Sequence, residues 1–221
     1  MSKLVWDQTS ERLYETGVEQ VALFPQEAGA YPKGVAWNGI SALNITPSGA
    51  EPTPLYANNS KYVTLMSAEE MGGTVEAYTY PDEWAACDGS ASVADGMYIG
   101  QQARKTFGLA AKTLIGNDTD GTKHGYKLHL IYGGLASPSE QSNATVNDSP
   151  EAKTMSWEFS TTPVSIEGYS PASYIYFDST KADKDKLAAL EAIIYGSEEA
   201  EPRLPLPAEV LRIMGVTQAA G

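Results

Sequence analysis

Two histidines, one cysteine and a few acid clusters are the residues best suited to chemistry in this chain, and their spacing decides what they could do. His124 and His129 lie five positions apart. On a strand an odd offset sends side chains to opposite faces, so the pair cannot share a metal ion, and both read as strand or turn residues. Asn117-Asp118-Thr119-Asp120-Gly121 has the outline of a calcium loop, which also needs a third acid or amide ligand before its glycine and a glutamate at its twelfth position. Counted from Asp118, that position is His129, and a plain turn is the better reading. Asp82 and Glu83 are neighbours that face different ways, whereas a glycosidase pair aims two carboxylates at one bond, so they read as solvated charge. Cys87 stands alone, excludes an intrachain disulfide, and reads as a small hydrophobe. The chain carries no G-x-S-x-G elbow, no G-x-x-x-x-G-K phosphate cradle and no glycine fingerprint between a strand and a helix. No catalytic, cofactor-binding or metal-binding residue is expected, and no enzyme.

The elements that would position any site are mostly strands. Residues 154–160 place Met155, Trp157 and Phe159 on one face and Ser156 and Glu158 on the other. Residues 124–132 alternate Tyr126, Leu128, Leu130 and Tyr132 against Lys127, His129 and Ile131, so the second face is only partly polar. Val18 to Phe24, Val35 to Ile45, Tyr62 to Met66, Thr74 to Tyr80, Thr106 to Ile115 and Tyr174 to Phe177 are further strand candidates. Many short strands in one chain predict a mainly β fold, an antiparallel sandwich or barrel. One helix interrupts them. Leu187, Leu190, Ile193 and Ile194 recur at helical spacing, Thr180 and Asp183 fit a capping box, and Gly196 fits the stop, which predicts a flanking helix over 181–195. Three prolines make 44–59 a long loop, and Ser137 to Pro150 is a second polar one. The prolines around Pro202, Pro205 and Pro207 predict an extended arm over 197–221. Its apolar group either docks on a neighbouring subunit or packs back on its own domain.

Composition bounds the partners. Hydrophobic residues at 42% and charged residues at 19% place the chain in the globular range, and its length suits one domain, 1–221, with residues 1–16 as an N-terminal arm. A formal charge of −13 repels nucleic-acid phosphates at long range, which argues against stable binding of DNA or RNA. Residues 51–100 carry eight acids against one base and residues 101–150 four acids against five bases, a polarity that suits head-to-tail association. No run approaches the roughly 20 apolar residues that span a bilayer, and the N-terminus meets charge too early for a signal peptide, so a cytoplasmic origin without membrane contact is expected.

Longer stretches carry a resemblance. Gly34-Val35-Ala36-Trp37-Asn38-Gly39, Pro47-Ser48-Gly49-Ala50-Glu51-Pro52-Thr53-Pro54-Leu55-Tyr56-Ala57 and Glu76-Ala77-Tyr78-Thr79-Tyr80-Pro81-Asp82-Glu83 resemble the major tail proteins of phages and prophages of Gram-positive hosts. So do Arg104-Lys105-Thr106-Phe107-Gly108-Leu109, Leu114-Ile115-Gly116-Asn117-Asp118 and Thr145-Val146-Asn147-Asp148-Ser149-Pro150-Glu151-Ala152, giving collinear coverage from about Asp7 to Pro163.

The resemblance implies a tail-tube β-sandwich with a flanking helix, assembled as hexameric rings that stack into the tube of a long non-contractile (siphophage) tail. It implies tape measure, tail tip and tail terminator proteins as partners, with genomic DNA passing through unbound. The virion tail is the implied location, after assembly in the host cytoplasm. Within that frame Pro47, Glu51, Pro52, Pro54 and Tyr56 are expected in an inter-ring loop, and Leu204, Leu206, Val210, Leu211, Ile213 and Met214 as the C-terminal anchor. Glu158 and Glu76 point away from the core, toward either the bore or the outer surface. Other readings are a tail terminator or capsid decoration protein, which would form no filaments, and a carbohydrate-binding sandwich or hydrolase. The latter would show aromatic platforms or paired acids, and thirteen tyrosines leave room for platforms.

Overall fold

A computed structural model describes residues 3–143, 145, 152–198 and 200–216. Parts of three expected segments lie outside the described residues: positions 1–2 of the N-terminal arm, 144 and 146–150 of the second polar loop, and 199 and 217–221 of the C-terminal arm. The fold is mainly β and antiparallel. In chain order the elements are β1 (Tyr14–Pro25), β2 (Val35–Ala36), β3 (Ile40–Gly49), β4 (Pro52–Ala57), β5 (Ser60–Met66), β6 (Glu69–Ala77), α1 (Trp84–Asp88), β7 (Ala91–Ala94) and β8 (Met97–Ile99). There follow β9 (Phe107–Asn117), β10 (Gly121–Ala136), β11 (Met155–Thr161), β12 (Tyr174–Asp178), α2 (Lys184–Tyr195) and α3 (Pro207–Ile213).

Eight strands form one sheet in the order β2-β1-β9-β10-β11-β6-β3, with β12 also paired to β10. Among the described residues it does not close into a barrel. Strand β10 makes the sheet divide: Lys127 to Ile131 pair with β12, while Gly134 to Ala136 pair with β11. The register slips between Ile131 and Gly134, and Gly133 there has φ of 64°, a left-handed conformation that costs a glycine little.

Both faces are buried over residues 21–24 of β1, 107–112 of β9 and 128–134 of β10. Val21, Leu23, Leu109 and Ile131 meet Val75, Trp157, Phe159 and Trp84 in one core; the Trp37 ring packs tilted against Trp84, centroids 4.6 Å apart, and donates its indole N–H to the Thr79 carbonyl at 2.9 Å. Ala22, Phe24, Leu128, Leu130 and Tyr132, which point the other way, pack with Leu187, Leu190 and Ile194 of α2 and Val210 of α3 in a second core. This two-sided burial explains why Ile131 interrupts the polar face of β10.

Four sequence expectations are corrected. Residues 44–59 are not a loop: Asn44 to Gly49 belong to β3 and Pro52 to Ala57 form β4. The outward N–H groups of an edge ribbon need no partner, so Pro52 and Pro54, two apart, cost β4 no ladder bond; Thr53 and Leu55 between them can supply its donors. Asn58 and Asn59, at φ of 50° and 61°, close the hairpin as a two-residue turn. Helix α2 starts three residues later than expected, because Thr180 bonds Asp178 and Asp183 alone caps the helix, accepting from the N–H groups of Asp185 and Lys186.

The extended C-terminal arm is the third correction. Leu204 bridges to Tyr31, the Arg203 N–H donates to the Ile193 carbonyl, and Pro207 opens α3 at a position where its missing N–H costs nothing. The described part of 197–221 thus packs on its own domain, and α1 and α3 join α2 where one helix was expected. Fourth, the N-terminal arm ends early, since β1 begins at Tyr14.

Candidate functional site

Strands β3, β6 and β11 place their apolar side chains in the first core and turn a polar face outward. Glu76 lies opposite Ser156 on β11 and Ala42 on β3; Glu158 lies opposite Thr74. Period-2 alternation then adds Glu70, opposite Ser48, to the same face. Glu158 and Glu70 are exposed and Glu76 is half-buried. The neighbours on this face are Asn44, Thr46, Ser48, Ser156 and Ser160, with no lysine or arginine among them. The structure therefore brings Glu76 and Glu158 onto one face of adjacent strands. Sequence reasoning missed Glu70 because the Gly72-Gly73 pair hides the start of β6. A Cβ at Gly73 would sit 2.2 Å from the Asn44 carbonyl oxygen, so the glycine permits close strand approach inside the sheet.

The second surface is the ribbon of β4 and β5. All of β4 is exposed, and β5 is exposed except for half-buried Thr64. Register puts Leu55, Val63 and Leu65 on one side of the ribbon and Pro52, Pro54 and Met66 on the other, and it slips between Leu55 and Tyr56, leaving Tyr62 unpaired near the tip. Tyr62 is 78% exposed and Tyr56 70%. Of the expected inter-ring residues, Pro52, Pro54 and Tyr56 lie on β4, Glu51 at the bend before it, and Pro47 on β3 opposite Met71. The N-terminal segment is a third exposed apolar feature, with Leu4, Val5 and Trp6 open to solvent. It is held at Ser10, whose N–H donates to Asp118 at 2.9 Å and whose carbonyl accepts from Asn117 at 3.2 Å.

The C-terminal candidates do not form a free anchor. Leu204 and Val210 are buried in the second core, Leu211, Ile213 and Met214 are half-buried, and Leu206 remains 38% exposed. Arg203 locks α3 with two parallel donations to Glu209, each 2.8 Å, and its guanidinium holds that carboxyl below the usual carboxylate range.

The chemistry-bearing residues fall in separate places. His129 is buried, its ring nitrogens 2.6 Å from the Tyr174 hydroxyl and 2.8 Å from Thr113, and burial pulls its pKa down. His124 stands at the β9–β10 turn near Asp120. That turn is built by the Asn117 side-chain oxygen, which accepts from the N–H groups of Thr119 and Asp120. Cys87 is fully buried on α1, where burial pushes its thiol up to about 12. No group of three or more metal-ligating side chains occurs among the described residues. No described helix is long and apolar enough to cross a membrane.

Compared with known proteins, the chain matches no family model and no curated protein.

Proposed function

We propose that this chain is a structural virion protein, the tube-forming major tail protein of a long non-contractile phage tail. The observation that carries the reading is the β4–β5 ribbon. A two-stranded hairpin is marginally stable in water, and this one is apolar on both sides, so its surface calls for burial against a neighbour. The mainly antiparallel fold agrees with a tail-tube sandwich, and the sequence resemblance supplies the assembly: rings of six copies, stacked head to tail.

In this assembly the ribbon reaches the adjacent ring, and the acid-bearing face of β3, β6 and β11 lines the bore. A basic lining would pair with DNA phosphates in every ring and hold the genome; a lining of small polar residues and carboxylates leaves it mobile. Tape measure protein, tail tip and tail terminator are the partners, assembly takes place in the host cytoplasm, and no catalysis is involved.

Concentrated protein in sulfate buffer, viewed in negative stain, tests the reading. Stacked rings of uniform width are expected, with salt promoting stacking by screening repulsion between acidic rings. Monomer alone by light scattering, with no tubes in any buffer, overturns it.

A further inference from the structure

Two exposed apolar hairpins flank β6 in the chain. The β4–β5 ribbon enters β6 at Glu69, its start; beyond Ala77, its end, the chain passes through α1 before it forms the second hairpin, β7–β8. The nine residues of β6 span about 26 Å at 3.3 Å per residue. Val93, Met97, Tyr98 and Ile99 of β7–β8 are each between 46% and 55% exposed. This hairpin is fastened beside α1 by donation from the Gln102 N–H to the Gly89 carbonyl and from the Lys105 N–H to the Ala86 carbonyl. Between hairpin and helix lies an open cleft of about 570 Å³, bordered by Asp82, Ala86, Ser92, Asp95, Tyr98 and Lys105.

The charges of the two surfaces are complementary. Lys61, the one base among residues 51–100, sits beside the tip of the β4–β5 ribbon. At the cleft, Lys105 pairs with Glu27 at 3.7 Å, while Asp82 and Asp95 take part in no ion pair among the described residues; nor does Lys61.

We propose that the cleft between α1 and the β7–β8 hairpin is the receptor for the β4–β5 ribbon of a second copy of this chain. This rests on the tube reading and names the surface the ribbon docks on. Tyr56 and Tyr62 cover the exposed apolar residues of β7–β8, and Lys61 enters between Asp82 and Asp95. Because ribbon and receptor are different surfaces of the chain, the contact is heterologous and leaves a free ribbon and a free cleft on every pair, so it propagates. Charge sets the register and the polarity of stacking, while apolar burial supplies most of the affinity.

The test uses the full chain in two ways. Copies carrying Ser60→Cys are mixed with copies carrying Ser92→Cys and treated with a short bis-maleimide; the buried native thiol of Cys87 stays unreactive. A cross-linked dimer that needs both variants is expected. In parallel, Lys61→Glu should raise the concentration needed for stacking by roughly tenfold at low salt, through like charges placed in contact. Asp82→Lys with Asp95→Lys should do the same, and combining all three should restore stacking. Wild-type chain that never assembles overturns the tube reading and this inference together. Tubes that form normally with every charge variant and give no mixed cross-link overturn the docking alone, and leave the tube reading standing.

Discussion

The Lys112 ammonium donates to Glu191 Oε2 at 3.0 Å, joining the middle of β9 to α2 across the second core. Lys112 is only 8% exposed, lies over the rings of Tyr126 and Tyr195, and shares Glu191 with the Tyr126 hydroxyl, which donates to Oε1 at 2.6 Å. Burial and this carboxylate both push the Tyr126 phenol up, so it stays a donor. Removing one member of a buried pair leaves the other charge uncompensated, so Glu191→Leu should cost about 3 kcal/mol. Glu191→Leu combined with Lys112→Met should cost less than Glu191→Leu alone, since neither charge is then stranded. Urea midpoints of the two variants decide it; a double variant less stable than the single shows that the pair is not acting as a unit.

His129 gives the fold a pH dependence of known sign. Its pKa is lowered from 6.5, first by burial and then by Lys127, with Glu15 opposing. The unfolded chain therefore takes up a proton below about 6.5 that the folded chain refuses, so stability falls as pH drops from 6.5 to the lowered folded value, then stops falling on this account. Asp178 and Glu209, whose pKa values are lowered, lose their contribution only further down, in the carboxylate range. Unfolding midpoints of wild type and His129→Gln should converge as pH falls through this window, and the other groups cancel in the difference. A constant gap assigns no titration to His129.

How much of this was legible in the sequence varied with the physics of each element. Met155, Trp157 and Phe159 announced β11 because one face of that strand is buried and the other is not. Strand β4 stayed hidden because proline signals a loop unless its missing N–H points off an edge, which only the pairing with β5 reveals. The prolines of the C-terminal segment keep α2 from continuing, yet Pro207 begins a helix, and nothing local says that Leu204 meets Tyr31 across 173 residues. At the candidate site, alternation alone gave the outward direction of Glu158 and Glu76; that they share a face with Glu70 depends on the register of three strands.

The ribbon is separable from the fold. Gly49 and Glu69 are paired at its base and β4–β5 adds nothing to either core, so replacing residues 50–68 with a two-residue turn should leave the monomer's thermal midpoint unchanged within about 2 °C. Assembly should be abolished. Circular dichroism melts and sedimentation check the two halves. A variant that unfolds shows the ribbon to be structural, and one that still forms tubes removes the observation on which the proposed function stands.

The acid-bearing face makes the sharpest functional prediction. Glu158 and Glu70 are exposed on the face that bears no base, so Glu158→Lys with Glu70→Lys should fold and assemble, since exposed charge changes usually cost under about 0.5 kcal/mol each. Glu76 is left in place because it is half-buried between Ser156 and Ala42. In a ring of six, the swap turns two rings of carboxylates into two rings of ammonium groups, and every ring along the tube repeats them. Each ammonium that pairs with a phosphate displaces a condensed counterion, so retention of DNA should grow with tube length and weaken steeply with salt. Particles built with the variant should eject DNA slowly or stall at low ionic strength and recover as salt is added. An outer-surface location predicts the opposite: normal ejection in low salt, with the added bases changing only how particles migrate in an electric field. Ejection rates measured across a salt series on variant particles separate the two, because only a bore lining couples ionic strength to the passage of DNA.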